Sequence, residues 1–429
     1  MALTAPTSRI ASIDIFRALT MLLMIFVNDL WSLEGVPRWM LHTKAEEDGM
    51  GLSDVVFPAF LFIVGLSIPF AIGHRLDRGD NTLQVLRHIT ERTFALLVMG
   101  FFMVNLENIR AEALPFSRYW WQILMALAIF LIWNRYPKRG KDKAGGRGDR
   151  ERGSAKGFAQ SPPHQASPSP LMSRLYQGLK VLGVLILLGL AYVYQGGTAE
   201  QPSWMKPHWW GILGLIGWAY LLSALVALWA RDKLPVIILA WLFFNLFNVA
   251  AFAGWLAPLA PLKQYVWIVG DGAMPALTMG GVLAATAYRK YYREERQLGF
   301  VLLLLVLAAL SAAYGFGLRP FWGISKIRAT PAWVGICTGI SFAIFAFLYW
   351  LSDIRRQRAW SRIIEPAGTS TLTCYLIPYF AYAIRELAGI TLPMALRTGG
   401  VGLLKSLLFA LLIVWATGLL KQFRIQLKI

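Results

Sequence analysis

Charged side chains are scarce in this chain of 429 residues, where Asp, Glu, Lys and Arg together make up 15%. A soluble domain carries roughly a quarter, so a water-soluble core of this size would lack the polar surface to cover it. Cysteine is nearly absent: Cys337 and Cys374 both sit in apolar runs. There is no disulfide framework and no CxxC-type ligand spacing, and no metal site is expected. Also missing are a Gly-rich phosphate loop followed by Lys-Ser or Lys-Thr, an HExxH pair and a GxSxG nucleophile elbow. No strong internal repeat is visible, and inverted repeats are the usual mark of a secondary transporter.

What the chain does have is apolar length. Hydrophobic residues make up 57%, and the mean hydropathy is +0.52. Twelve runs approach the roughly 20 residues that span hydrocarbon: 13–33, 54–73, 92–106, 118–134, 175–195, 209–230, 234–256, 271–288, 298–315, 331–351, 367–384 and 401–420. The expected fold is all-α, a polytopic integral-membrane helix bundle of about 12 helices. Several runs are weaker, notably 271–288 with Asp271, Pro275 and a Gly-Gly pair, and the count falls to ten or eleven if such runs do not cross. Polar residues through Arg9 precede the first run, and no small-residue cleavage site follows it, so it reads as a retained helix.

Basic residues outnumber acidic ones, 42 to 23, for a net charge of +19. In a soluble protein that excess would indicate nucleic acid; here it punctuates the apolar runs, and nucleic acid is not an expected partner. One alternate set of loops holds Arg75, Arg78 and Arg87, the stretch from Arg135 to Arg174, then Arg231, Arg289, Arg296, Arg356, Arg358 and Lys428 with their basic neighbours. The other set is poor in Lys and Arg. The positive-inside rule assigns the rich set and both termini to the cytoplasm.

Three parts follow: N-terminal transmembrane helices at 1–134, a basic linker at 135–174, and C-terminal transmembrane helices at 175–429. The linker, with its dense charge followed by SPPHQASPSP, contains His164 and cannot bury enough apolar surface to offset chain entropy. It is expected to be a disordered, solvated cytoplasmic segment.

Polar groups inside lipid are costly, so those at helical positions are the first functional candidates. Asp14 and Arg17 stand at i, i+3 on the first helix. They read either as a structural ion pair or as a pair that leaves Arg17 to hold an entering anion. Asn28 and Asp29 close that helix, and His42 lies in the following loop among Glu34, Glu46, Glu47 and Asp48. A loop histidine is ordinarily solvated, but this loop is short enough to fold back over the bundle beside two polar helix ends. Asp54 opens the second helix, where a carboxylate suits the N-terminal partial charge and can cap backbone amides. It can also orient His42. Trp204, Trp209 and Trp210 read as an interfacial belt, and Asn245, Asn248 and Asp271 as bridges between helices.

These residues fall in a familiar order. RIASIDIFRALT at 9–20, FVN ending at Asn28, the loop histidine His42 and LSDVVFPAFLFIVGLSI at 52–68 resemble the transmembrane acyltransferases related to heparan-α-glucosaminide N-acetyltransferase. ISKIRATPAWV at 324–334 and PAGTSTLTCYL at 366–376 are similar to later blocks of that family, whereas the middle of the chain has no obvious counterpart. The resemblance implies a helix bundle that passes an acetyl group from cytoplasmic acetyl-CoA to an amino sugar or related glycan across the membrane. It makes His42 the catalytic residue, with Asn28 near it. The family usually follows its histidine with Trp and Gly before the Asp block; here the longer, acidic TKAEEDGMG intervenes, a departure that bears on the acceptor.

Acyl transfer from a thioester needs a base or a nucleophile, and histidine serves as either. Asn28 would supply the oxyanion donor or orient the acceptor, and Asp54 would support His42. Arg17, Arg87 and Arg92 are the candidates to meet the CoA phosphates, each equally explained as a positive-inside anchor. Ser325, Lys326 and Arg328 share the outer face with His42. Monomer and homodimer both stay open. With no long domain ahead of the first helix, a bacterial inner membrane is the expected location. The rival reading is a transporter or flippase whose polar intramembrane residues line a solute path.

Overall fold

The computed structural model of the protein describes residues 10–137, 169–208, 210–263, 268–293 and 295–429. Most of the basic linker, with His164, and Trp209 lie outside the described residues. The helices are α1 (Ala11–Asp29), α2 (Ser53–Asp77), α3 (Thr82–Glu107), α4 (Arg118–Trp133), α5 (Pro170–Tyr192), α6 (Ile212–Ala230), α7 (Leu234–Phe252), α8 (Ala273–Arg293), α9 (Gln297–Trp322), α10 (Pro331–Tyr349), α11 (Glu365–Thr369), α12 (Thr371–Leu387) and α13 (Gly399–Gln422).

A helix overlies every apolar run, with the run at 367–384 divided at Ser370 into α11 and α12. The fold is an all-α polytopic membrane bundle. Among the described residues, nine helices are long and apolar enough to cross a bilayer. At 16 and 17 residues, α4 and α12 are shorter, and α8 is not among the nine.

The departures in helix boundaries have local causes. α3 starts well before its apolar run because Asn81 and Gln84 form a capping box: the Gln84 amide donates to Asn81 Oδ1 at 2.9 Å, and the Asn81 amide donates to Gln84 Oε1 at 2.8 Å. Its first turns are polar, and hydropathy does not register them. α8 reads weakly in the sequence because it is small-residue rich rather than greasy. It lies at the centre of the bundle, with Ala276, Leu277, Met279, Val282, Ala284 and Ala285 all at 0% exposure. A Cβ on Gly281 would sit 1.9 Å from the Phe62 carbonyl oxygen, and one on Gly65 would sit 1.8 Å from that of Thr278. Glycine therefore permits the backbone contact of α2 with α8, the way membrane helices associate when lipid supplies no hydrophobic drive. Leu185, Leu239, Leu302 and Leu404 on α5, α7, α9 and α13 point outward, as lipid-facing side chains do.

Hydrogen bonds sort the loops into two groups at opposite ends of the helices. At the His42 end, Gly49 N donates to Ile324 O at 3.0 Å and Glu34 N to Arg397 O at 2.8 Å. At the same end, Asn248 Nδ2 bridges Asp271 O at 3.1 Å and Ala329 O at 3.3 Å. At the other, basic end, Arg135 N donates to Gln426 O at 2.8 Å, and Arg289 Nη1 meets Asp232 Oδ2 at 2.6 Å. These groups are the two loop sets that the charge pattern separates.

Candidate active site

The His42 loop is drawn onto the start of α2 by its own backbone. Leu52 N donates to Trp39 O at 2.7 Å, and Ser53 Oγ donates to Met40 O at 2.5 Å. Gly51 makes the closure possible, since a Cβ there would fall 2.0 Å from Leu41 O. Asp54 is fully buried. Its Oδ2 accepts from Gly51 N, Thr43 N and Thr43 Oγ1, each at 3.0 Å, and its Oδ1 lies 2.6 Å from His42 Nδ1. The carboxylate thus caps the loop amides rather than those of α2, which has no side-chain cap. This corrects the helix-cap expectation: the loop folds across the helix start and reaches the carboxylate first. In the tautomer that carries its proton on Nδ1, the ring donates to the Asp54 carboxylate and Nε2 keeps its lone pair. The His42 side chain is 49% exposed, so the ring is open to a reactant.

A second loop, between α9 and α10, closes over the same residues. Lys326 Nζ stands 3.2 Å from His42 Nδ1 and 3.9 Å from Asp54 Oδ1. Trp333 Nε1 donates to the Asp54 carbonyl at 3.1 Å, and Ser325 Oγ donates to Ala45 O at 3.1 Å. The acidic insert supplies the clamp: Asp48 accepts from Ile324 N at 2.7 Å and from Arg319 Nε at 2.9 Å. Those two donors hold the Asp48 carboxyl below its usual range. Burial pushes the Lys326 ammonium below the ordinary lysine value, and the charge of Asp54 opposes that shift. Arg328 turns away and stacks over Phe252 at 5.8 Å.

Asn28 is not joined to His42 by any hydrogen bond among the described residues. It lines a cavity of about 370 Å³ at the same end, with Trp31, Glu107, Arg118, Tyr379 and Tyr382 among its walls. Its neighbour Asp29, which sequence reasoning does not single out as a site residue, is 2% exposed. Asp29 accepts from Tyr382 Oη at 2.9 Å, Lys405 Nζ at 2.6 Å and Ser406 Oγ at 2.6 Å. The available signal is Lys405, a lone cation in an apolar run.

The three candidate donor-side arginines do not converge as a set. Arg17 forms the anticipated pair with Asp14 at 3.1 Å and also donates to Ser67 Oγ at 2.6 Å. Arg87 is exposed and paired with Glu91. Arg92 packs over the Tyr220 ring at 4.6 Å; together with Arg75 and Lys428 it interacts electrostatically with His88.

Residues 9–136, which hold Asn28, His42 and Asp54, match the family model described as heparan-alpha-glucosaminide N-acetyltransferase, catalytic. The chain is related to that family. The human heparan-alpha-glucosaminide N-acetyltransferase is 35% identical over 103 residues, 24% of this chain and 15% of the human protein. The mouse protein of the same name is 35% identical over 98 residues, 23% of this chain and 14% of its own length. The chain therefore matches only about 15% of the length of these curated relatives. Within the segment that fits the family model lie all the candidate site residues, Arg17, Asn28, His42, Asp54, Arg87 and Arg92. The blocks at 324–334 and 366–376 fall outside it, so Lys326 reaches His42 from beyond the heparan-alpha-glucosaminide N-acetyltransferase match.

Proposed function

We propose that this protein is a membrane-embedded acyltransferase that moves an acetyl group from acetyl-CoA to the amine of an amino sugar or related glycan. The observation that carries the reading is the His42–Asp54 pair at 2.6 Å, set in the segment related to an N-acetyltransferase family. Asp54 fixes the ring and its tautomer, and Nε2 then has two uses. As a base it takes the proton of the acceptor amine as nitrogen attacks the thioester carbonyl; as a nucleophile it carries the acetyl group itself. In both routes the thiolate of CoA leaves and is protonated.

On this reading the aromatic cavity beside Asn28 takes the acceptor. Trp31, Tyr379 and Tyr382 offer apolar faces to a sugar ring, Asn28 orients it, and the Glu107 carboxylate attracts its amine. Acetyl-CoA enters from the basic, cytoplasmic end, where Arg17 and Arg92, the latter with Arg75 and Lys428 nearby, meet its phosphates. Twelve crossings, cytoplasmic termini and a bacterial inner membrane complete the proposal. The helices up to 134 supply the catalytic loop, those from 175 supply the lysine-bearing loop that closes on it, and 135–174 is the cytoplasmic linker between them.

The test is vectorial. Proteoliposomes of known protein orientation are loaded with glucosamine, and labelled acetyl-CoA is added outside. Labelled N-acetylglucosamine appearing inside supports the reading, whereas unmodified glucosamine crossing without dependence on acetyl-CoA overturns it in favour of transport.

A further inference from the structure

A second polar cavity, of about 490 Å³, opens at the basic end among α8, α9 and the turn that extends α10. Its walls are dominated by hydrogen-bond donors: the hydroxyls of Tyr288, Tyr292 and Tyr349, the Gln297 amide and the guanidinium groups of Arg356 and Arg358. The tyrosines form one cluster, with the Tyr288 ring 5.5 Å from that of Tyr292 and 5.7 Å from that of Tyr349. None of the three hydroxyls, nor Arg356, makes a hydrogen bond or ion pair with a protein group among the described residues.

The single carboxylate among the described residues of the wall is already engaged. Asp353 accepts from Ala11 N at 3.1 Å and Ser12 N at 2.9 Å, capping α1 from a distant part of the chain, and from Arg358 Nη2 at 3.3 Å. Its charge is therefore shared between the α1 amides and Arg358, which leaves Arg356 as the cation of this wall with no carboxylate partner among the described residues. A cavity with idle donors and a surplus positive charge complements a compact anion with several acceptor oxygens. A carboxylate presents two oxygens in one plane, whereas a phosphate ester sets its terminal and ester oxygens tetrahedrally, so that donors on several walls can reach it at once.

We propose that this cavity is a phosphate-ester site, independent of His42. Arg356 and the tyrosine hydroxyls grip the phosphoryl oxygens, and Gln297 reaches the adjoining ester or hydroxyl. The ester comes either from the headgroup of an anionic phospholipid in the adjacent leaflet or from a soluble nucleotide.

Two arms separate these sources, each comparing wild type with Arg356→Ala and Tyr292→Phe. Both side chains are at least partly exposed, so folding is expected to survive and is verified by monodispersity in detergent. In the first arm, native mass spectrometry counts phosphatidylglycerol retained from nanodiscs of phosphatidylcholine and phosphatidylglycerol. In the second, the melting temperature is titrated with adenosine 3′,5′-bisphosphate. Loss of one charge-assisted hydrogen bond predicts affinity at least about tenfold weaker in Arg356→Ala, and a smaller loss in Tyr292→Phe. An effect in the first arm identifies the lipid, and one in the second identifies the nucleotide. Equal binding by wild type and both variants in both arms overturns the site. Neither arm depends on acetyl transfer, so this result stands apart from that of the catalytic proposal.

Discussion

His42 Nδ1 and Asp54 Oδ1 stand 2.6 Å apart, and the carboxylate is held by loop amides whatever the state of the imidazole. The orientation of the ring is therefore built before any substrate arrives. Asp54→Asn keeps the volume but turns an N–H₂ toward donors. A fall in kcat of about 10²–10⁴-fold is expected, the usual contribution of a positioned proton-transfer group. Steady-state kinetics on folded protein checks it, and an unchanged kcat would remove Asp54 from the mechanism.

Lys326 gives a pH signature with a defined sign. Its folded-state value is depressed by burial, so between that value and the ordinary lysine value the unfolded chain binds more protons. Stability contributed by this group therefore rises with pH across that window and is lowest below it. Lys326→Met escapes the burial cost at neutral pH and gains nothing on the alkaline side. The melting temperature of Lys326→Met relative to wild type should thus be most favourable near neutrality and decline as pH rises. A pH-independent difference would contradict the burial of a charged Lys326.

Asp29 and Lys405 tie α13 to the end of α1 inside the bundle. Lys405→Met leaves a carboxylate buried with only hydroxyl donors, and should cost about 3–5 kcal/mol, as breaking one side of a buried pair does. Combining Asp29→Asn with Lys405→Met removes both charges and should recover much of the loss. Denaturation in detergent of the two single variants and the double variant gives the coupling; strict additivity would mean that the pair does not interact.

The α2–α8 crossing predicts a contrast between glycines. Gly281→Ala must displace the Phe62 carbonyl, 1.9 Å from the new Cβ, and should destabilise by about 1–3 kcal/mol or more. Gly178→Ala on α5 meets nothing within 4 Å and should be neutral or stabilise by up to about 1 kcal/mol, since alanine is the better helix former. Equal melting temperatures for the two variants would refute the close approach.

Hydropathy placed an apolar run over each long helix, though it merged α11 with α12, and charge alternation separated the two loop sets, because both are local properties of the chain. They undervalued α8, whose small residues serve backbone contact rather than hydrophobicity, and they missed the polar first turns of α3. At the site, Asp54 was legible as a partner for His42 because the two are close in sequence. The approach of Lys326 was legible only as a shared face, since the contact joins residues 42 and 326. The place of Asn28 on the wall of the aromatic cavity is not legible in the sequence, because the other walls come from helices far along the chain. Asp29 is legible only as a polar helix end, because its partners, Tyr382, Lys405 and Ser406, come from helices far along the chain.

The most direct test of His42 as the acyl-transfer residue is release of free CoA thiol from acetyl-CoA by the purified protein in detergent, with and without glucosamine, for wild type and His42→Ala. The expected result is release by wild type that glucosamine stimulates, and loss of that stimulated release in a variant that folds and still binds acetyl-CoA. Full stimulated release by His42→Ala would contradict the assignment of His42, and no binding or release by wild type would contradict the donor.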